Sequence, residues 1–506
     1  MAWTNAPTTR PRDLDSAEKH SLRKDDGTAH DVSLVPAERM NSADKLEHGG
    51  VDGDGDEVDG VFGKQGGEGT VNYRTVGWKT ATVFIVKSQI GIGVLGLPGA
   101  FLTLGLVPGL LVFAWIAAAT MWCDIYVGTF KLKHPQVYSI SDCGTLMFGK
   151  WCGELFGVAY WLFCTFVAGS ALLTISTAFN AVSLHAMCTA GWVAISAAIV
   201  FVPASLRTFG KLTWLGWGAV VSILAAIFTA LIAIAVADRP ALAPPAPEPF
   251  DLGVRAFADP SFTDAMNAVS AIFFAFTGTS SFLPIASEMR NPRDYPKAVL
   301  VGQSFVTLVY LVVAVTVYCT AGNYVASPAL GTAGPLIKRI AYGLALPGVI
   351  FSAIMYTHLP AKWVFVRVLR GSHHLNHPTR TSTIVWLSCT AGCLGFSYII
   401  ASAIPVFGGL VGLIGALPAP IITLHAEALM WLYDNKQFFS SLEYRTRKRW
   451  CGVVLNIGLL ILATFLTVAG TYGSMWGSLL FFSATVYIID SEAGKPFSCA
   501  DNSGSV

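Results

Sequence analysis

Apolar stretches long enough to cross about 30 Å of hydrocarbon alternate with short polar links from Trp78 onward. Eleven such stretches occur, at residues 78–104, 107–130, 154–180, 190–206, 212–237, 265–289, 297–320, 336–368, 381–403, 405–433 and 450–472. In a bilayer the backbone must satisfy its own polar groups, so each is expected to be a helix. A twelfth apolar piece, 479–489, is too short to span and reads as interfacial or extracellular. The pattern predicts an all-α polytopic membrane protein with about 11 transmembrane helices. It also predicts three segments: a disordered cytoplasmic tail over 1–70, a transmembrane domain over 71–490 and an extracellular C-terminal tail over 491–506.

Composition agrees with this pattern. Of the 506 residues 53% are hydrophobic and 13% charged, against about a quarter charged in soluble domains. Lys and Arg in the links set the orientation, because basic loops stay cytoplasmic. With the N-terminus inside, the links after helices 2, 4, 6, 8 and 10 should be basic. They carry Lys131, Lys133 and Lys150, then Arg207 and Lys211, then Arg290, Arg293 and Lys297, then Lys362, Arg367, Arg370 and Arg380, and finally Lys436, Arg445, Arg447, Lys448 and Arg449. The opposite links are nearly bare, and the residues after 472 hold a single Lys495. An odd helix count with the C-terminus outside follows.

Several function classes fall away. The net charge of +2 gives no basic face for nucleic acid. The ten cysteines include no C-x-x-C pair, so neither a zinc site nor a disulfide framework is expected, and Cys389 and Cys393 read as a packed pair on one helix face. Residues 1–70 are polar and acidic, with no signal peptide. Asp52, Asp54 and Asp56 resemble part of a calcium loop, but Glu57 and Gly63 occupy positions needing glycine and a bidentate glutamate. His20 and Asp25 match an acyltransferase spacing by chance in a solvated tail. The tail lysines Lys19, Lys24 and Lys45 offer sites to a ubiquitin ligase. No H-E-x-x-H or G-x-S-x-G motif appears, and no helix pair offers two facing catalytic acids, so an enzyme is not expected. No cofactor is expected either.

The most informative stretch is residues 88–98, SQIGIGVLGLP, where three glycines and a proline interrupt helix 1. Helix 6 carries a matching interruption over 276–284, FTGTSSFLP. Unpaired backbone at membrane depth is tolerated only where it lines a cavity or is buried in protein. Two breaks five helices apart, in opposed orientation, fit a five-plus-five inverted repeat with substrate at the midplane. Exposed N–H groups at a half-helix start would take a carboxylate, and carbonyls of the opposite half-helix an ammonium. Ser88, Gln89, Gly91, Gly93, Val94, Leu95, Phe276, Thr277, Gly278, Thr279 and Ser280 are therefore the expected substrate-binding residues. Tight small-residue packing is the competing explanation of the glycines.

These stretches carry a resemblance. Residues 72–78 (NYRTVGW), 87–98 (KSQIGIGVLGLP), 284–297 (PIASEMRNPRDYPK) and 494–503 (GKPFSCADNS) resemble the amino acid/auxin permease family, and most closely its fungal neutral amino acid permeases. The resemblance runs from about Val61 to the end. It implies the LeuT-like fold of the amino acid-polyamine-cation superfamily, eleven helices with helices 1 and 6 broken, and amino acid uptake driven by protons.

Four ionisable or polar residues are candidates for ion coupling: Lys87, Ser352, His358 and Glu288. Lys87 lies beside the helix 1 break, and intramembrane charge marks function. In sodium-coupled relatives of this fold, helix 1 before the break and helix 8 hold a sodium ion; a lysine amine there would replace it or exchange a proton. The alternative is that Lys87 snorkels and caps carbonyls. His358 titrates in the useful range, and Ser352 could face Lys87. Glu288 stands near Arg290 and Arg293, where a salt bridge is expected ahead of a relay role, and Asp124 near the inner end of helix 2 is similarly open. The expected partners are a neutral amino acid, H+ and the lipid bilayer. The leading expectation is an importer at the plasma membrane. Sodium coupling, a vacuolar transporter or exchanger, and a non-transporting amino acid sensor remain as alternatives.

Overall fold

The computed structural model describes residues 58–59, 63–64, 76–207, 213–278, 281–369, 372, 374, 379–404, 406–440, 446–475 and 496–503. The tail expected over 1–70 lies outside them, apart from Val58–Asp59 paired antiparallel with Gly63–Lys64. The apolar piece 479–489, Thr279 and Ser280 lie outside as well.

Eleven helical units follow in order among the described residues; eight of their helices are long and apolar enough to cross a membrane, and the bent first pair makes a ninth. Helix α1 has two halves, Trp78–Gln89 and Leu97–Leu104, joined by a 3₁₀ turn over Gly93–Gly96 and bent by 40°. Then come α2 (Leu106–Lys133), α3 (Lys150–Ser183), α4 (Thr189–Ala204) and α5 (Thr213–Val236). Helix α6 is again split, Phe262–Ala275 and Phe282–Glu288. It is followed by α7 (Tyr295–Ala321), α8 (Pro335–Val368), α9 (Arg380–Ala403), α10 (Phe407–Asp434) and α11 (Arg449–Met475). Every stretch expected to span is helical, with ends moved by a few residues, though Thr189–Ala204 and Phe262–Ala275 are short for a crossing. A short helix not foreseen, Ile140–Phe148, links α2 to α3; its start is a capping box in which Ser139 and Asp142 serve each other's backbone N–H groups.

Helices α3, α8 and α10 form the interior. Buried shares of 78%, 61% and 72% in their apolar windows contrast with 33% for α2 and 28% for α11, which turn their apolar sides to lipid. Helix α8 contains Pro347, whose ring and missing N–H disturb the ladder of the preceding turn. Ser222 of α5 enters the gap: its hydroxyl donates to the Leu344 carbonyl and accepts from the Gly348 N–H at 3.2 Å. A Cβ on Gly348 would lie 2.9 Å from the Ala219 carbonyl oxygen, so α5 and α8 touch backbone to backbone.

The ends of the helices are tied at both faces. At the basic face, Asp434 at the end of α10 accepts from Tyr126 (2.6 Å) and Lys133 (2.9 Å) and meets His134 Nε2 at 2.8 Å. Glu154 and Arg367 form an ion pair between α3 and α8. Val76, entering α1, exchanges backbone hydrogen bonds with Glu288 (3.1 Å) and Arg290 (2.8 Å), leaving α6. The chain therefore enters α1 on the face where it leaves α6, as an inverted repeat requires.

At the opposite face the structure corrects the cysteine reading. Cys188, before α4, is bonded to Cys499 across 311 residues. Spacing alone could not reveal it, because the partners meet only when the C-terminal tail folds back over the helix ends. The tail is held further by Asn502 with Asn180 (2.8 Å) and Ser176 (3.3 Å), by Thr189 donating to the Ala500 carbonyl (2.6 Å), and by Lys338 donating to the Ser503 carbonyl (3.0 Å). Cys389 and Cys393 are free thiols, in line with a packed pair.

A disulfide closing so long a loop should contribute about 2–4 kcal/mol. Cys499→Ser should lower the thermal midpoint of the purified protein by several degrees, and non-reducing digestion of the parent should yield one peptide pair joined through Cys188 and Cys499. Separate peptides without reductant would remove the bridge.

Candidate functional site

Where α1 and α6 unwind, a cavity of about 30 Å³ opens against α3 and α8. From α1 it is lined by Lys87, Ser88, Gln89, Gly91, Ile92 and Gly93, and from α6 by Phe274, Ala275 and Thr277. Helix α3 adds Phe163 and Val167, and α8 adds Ser352 and Tyr356. The first half of α1 ends with the Ile90 N–H on the Val86 carbonyl, and the next turn begins with Leu95 N–H on Ile92. Between them, the N–H groups of Gly91 and Ile92 are taken up by no backbone carbonyl among the described residues. Two free donors beside a helix start form a receptor for an anionic group.

The hydroxyls point to the complementary charge. Ser88 donates to the Ile85 carbonyl (2.8 Å), Thr277 to Phe273 (3.0 Å) and Ser352 to Gly348 (3.1 Å). Each has spent its proton on its own helix and presents lone pairs, which suit an ammonium donor. Phe163, Val167, Phe274 and Ile92 make the remaining wall apolar. Among the lining residues Lys87 carries the one formal charge.

The carbonyls freed by unwinding are served from neighbouring helices. Tyr310 of α7 places its hydroxyl 2.7 Å from the Gln89 carbonyl and 3.1 Å from that of Ala275. Tyr356 of α8 donates to the Ser88 carbonyl at 3.2 Å. The Gln89 side chain donates to Gln303 at 2.6 Å, and Gln303 in turn donates to Thr120 at 3.4 Å.

The expected substrate residues divide. Ser88, Gln89, Gly91, Gly93 and Thr277 line the cavity. Val94, Leu95 and Phe276 are instead core residues, 0%, 2% and 0% exposed; Phe276 packs edge-to-face on Phe113 (5.2 Å) and Tyr310 (5.4 Å). Gly278 is outside the lining, and its absent side chain makes room for Gln89, whose Cγ would lie 2.5 Å from a Cβ there. Ile92, Phe163, Val167, Phe274, Ala275 and Tyr356 were not foreseen. Only Tyr356 had a signal, standing one helical turn from Ser352.

The coupling candidates separate too. Lys87 Nζ lies 3.9 Å from the centre of the Phe351 ring and 3.7 Å from Met355 Sδ, with Gly216 of α5 beside its stem. Ser352 borders the same cavity, and its Oγ would lie 3.6 Å from a Cβ on Gly91. His358, two residues past Tyr356, points about 200° round the helix. It sits 3.2 Å from the Ala204 carbonyl and edge-on to Trp386 at 5.0 Å, away from the cavity. The ion pair expected between Glu288 and Arg290 or Arg293 does not form among the described residues. Glu288 interacts with Tyr138 and feels the charge of Lys362, because the Val76 bridge draws the chain after it aside. Burial and the Glu288 carboxylate push the Tyr138 phenol up to about 12, so it stays protonated and able to donate. Asp124 is buried on α2, as is Glu427 on α10.

The two glycines expected to act alike differ. A Cβ on Gly91 would meet only Ser352 Oγ at an ordinary 3.6 Å, whereas one on Gly93 would lie 2.7 Å from Ala275 Cα. Gly93 lets the two broken helices touch, the role first set against a binding role. Gly93→Ala should cost about 1–3 kcal/mol of stability and reduce the amount of folded protein. Gly91→Ala should fold normally and lose substrate affinity, because the methyl group stands before the free N–H groups. Monodispersity by size-exclusion chromatography and ligand-induced thermal shift separate the two; a Gly91→Ala variant with parental affinity would refute the assignment.

The chain matches the family model described as "Transmembrane amino acid transporter protein" over residues 74–476. It is 35% identical over 442 residues to a "Transmembrane transporter" of Gibberella moniliformis, covering 86% of this chain and 90% of that one. To the "N amino acid transport system protein" of Neurospora crassa it is 29% identical over 437 residues, again 86% and 90%. Among solved structures it is similar to MhsT in complex with L-phenylalanine, with 13% identity, a TM-score of 0.48, and coverage of 80% of this chain and 98% of that chain. The chain belongs to the transmembrane amino acid transporter family, and its relatives are transporters rather than enzymes.

Proposed function

We propose that the protein imports neutral amino acids across the plasma membrane by proton symport, opening its cavity to each side in turn. The observation that carries this reading is the cavity at the two helix breaks. Free N–H groups of Gly91 and Ile92 stand on one side, back-bonded hydroxyls of Ser88, Thr277 and Ser352 on the other, and an apolar wall of Phe163, Val167 and Phe274 closes it. A zwitterion fits the polar groups, and an uncharged side chain fits the wall. A cationic side chain would find no counter-charge among the lining residues, and the one charge there, Lys87, already rests on Phe351 and Met355.

Proton rather than sodium coupling is favoured by the surroundings of Lys87. Sodium, a hard cation, needs oxygen ligands, and here an amine rests on an aromatic ring and a thioether. Such soft neighbours hold a cation lightly, so the amine can exchange a proton as the cavity changes exposure. The outward C-terminus is supported by the Cys188–Cys499 bond, which belongs on an oxidising side and lies opposite the basic links.

The test is uptake of a panel of radiolabelled amino acids into proteoliposomes with an imposed pH or sodium gradient. Neutral substrates should accumulate with an inward proton gradient, and sodium should be without effect. Lys87→Met should abolish proton-driven accumulation while counterflow of substrate persists. A charge at membrane depth costs at least about 2.5 kcal/mol, so one retained there must have a use. Parent uptake that requires sodium, or full proton-driven accumulation by Lys87→Met, would overturn the coupling.

A further inference from the structure

Helix α7 offers two polar side chains to the broken helices, Gln303 and Tyr310, each 0% exposed. Seven residues apart, they share a face. The carbonyls that Tyr310 reaches, of Gln89 and Ala275, belong to the last residues of the first halves of α1 and α6. A phenol has one proton to give, so the two carbonyls compete for it, and the 2.7 Å contact takes the larger share. The ring cannot drift to favour either, because Phe276 packs edge-on against it at 5.4 Å. Gln303 secures the same α1 residue by its side chain and is itself anchored to Thr120 of α2.

We propose that Tyr310 is a positioning residue for substrate binding: its single hydroxyl proton, shared between the Gln89 and Ala275 carbonyls, sets the separation of the two helix breaks and so the fit of the cavity. The inference rests on the reading that this cavity binds an amino acid. Tyr310 is absent from the cavity lining, so it acts through the backbone it holds. Spreading the breaks would leave one carbonyl without a donor in a water-poor setting, which is costly. The hydroxyl therefore favours the close-set arrangement in which the Gly91 and Ile92 N–H groups and the Thr277 hydroxyl face one small space.

Tyr310→Phe keeps the ring and removes the proton. In the full chain, the concentration of neutral amino acid giving half-maximal thermal shift, and KM in proteoliposome uptake, should rise about tenfold, the worth of one buried hydrogen bond. The maximal rate should stay near the parent's, and the ligand-free thermal midpoint should fall by a few degrees, because two buried carbonyls lose their donor. Replacing Tyr310 by p-aminophenylalanine, whose amine has two N–H bonds for the two carbonyls, should restore or tighten affinity. A residue that only packs would alter the amount of folded protein without moving KM. Parental affinity in Tyr310→Phe overturns the proposal. Should that variant fail to accumulate, the amine variant decides alone: parental or tighter affinity supports the proposal, and weakened affinity overturns it. A parent that binds no amino acid of the panel refutes the proposed function and this inference together. A parent that binds, with variants that match it, refutes this inference alone.

Discussion

A helix that stops in the middle of a bilayer leaves backbone groups that water cannot reach, and much of this structure answers that constraint. The carbonyls of Ser88, Gln89 and Ala275 are met by the hydroxyls of Tyr356 and Tyr310, each from a neighbouring helix. The same device recurs in α8, where Ser222 of α5 enters the gap left by Pro347. Helix ends elsewhere rely on caps and turns, but at membrane depth the donors must come from neighbours. The N–H groups of Gly91 and Ile92 have no backbone acceptor among the described residues, and they border the cavity. An unpaired donor in that setting is costly to keep, and the proposed ligand carboxylate would relieve the cost.

That constraint also explains how much was legible beforehand. Spans were readable because hydrocarbon thickness imposes a minimum apolar length, and breaks because glycine and proline leave a mark in the chain. Residues adjoining a break could therefore be listed, and Ser88, Gln89, Gly91, Gly93 and Thr277 do line the cavity. Phase within the unwound stretch was not readable, since it follows neither a period of 3.6 nor one of 2. Val94, Leu95 and Phe276 accordingly turned into the core. Contributions from continuous helices carry no mark at all: Phe163 and Val167 look like any other apolar residues of α3. The Cys188–Cys499 bond was hidden for a similar reason, as its partners are joined by tertiary folding alone.

Helix α8 shows how geometry separates candidates that composition leaves side by side. Read as a list, His358 is the residue whose chemistry best suits a proton, and Lys87 the one whose cost demands explanation. Geometry separates them, since Lys87 lines the cavity and His358 does not. Phe351, Ser352, Met355 and Tyr356 fall on the side of α8 that meets α1, while His358 falls on the side that meets Ala204 and Trp386. Of the two, Lys87 alone borders the cavity in this structure.

If the cavity opens to each side in turn, as proposed, two sets of helices must be firm within themselves and loosely joined to each other. The hydrogen bonds divide in that way. Thr120, Gln303, Gln89, Tyr310 and Ala275 link α2, α7, α1 and α6 into one chain of contacts. The C-terminal tail links the ends of α3, α4 and α8 that lie opposite the basic links, through Asn180, Cys188, Thr189 and Lys338, and that of α9 through the Phe497 N–H on the Ser402 carbonyl. The cavity lies on the seam, with α1 and α6 from the first set and α3 and α8 from the second. Its crossing contacts include one long hydrogen bond, Tyr356 to Ser88 at 3.2 Å, and the rest of Lys87 on Phe351 and Met355. Both are weak enough to break and reform, and both meet the cavity, so whatever occupies it acts directly on the joint between the two sets.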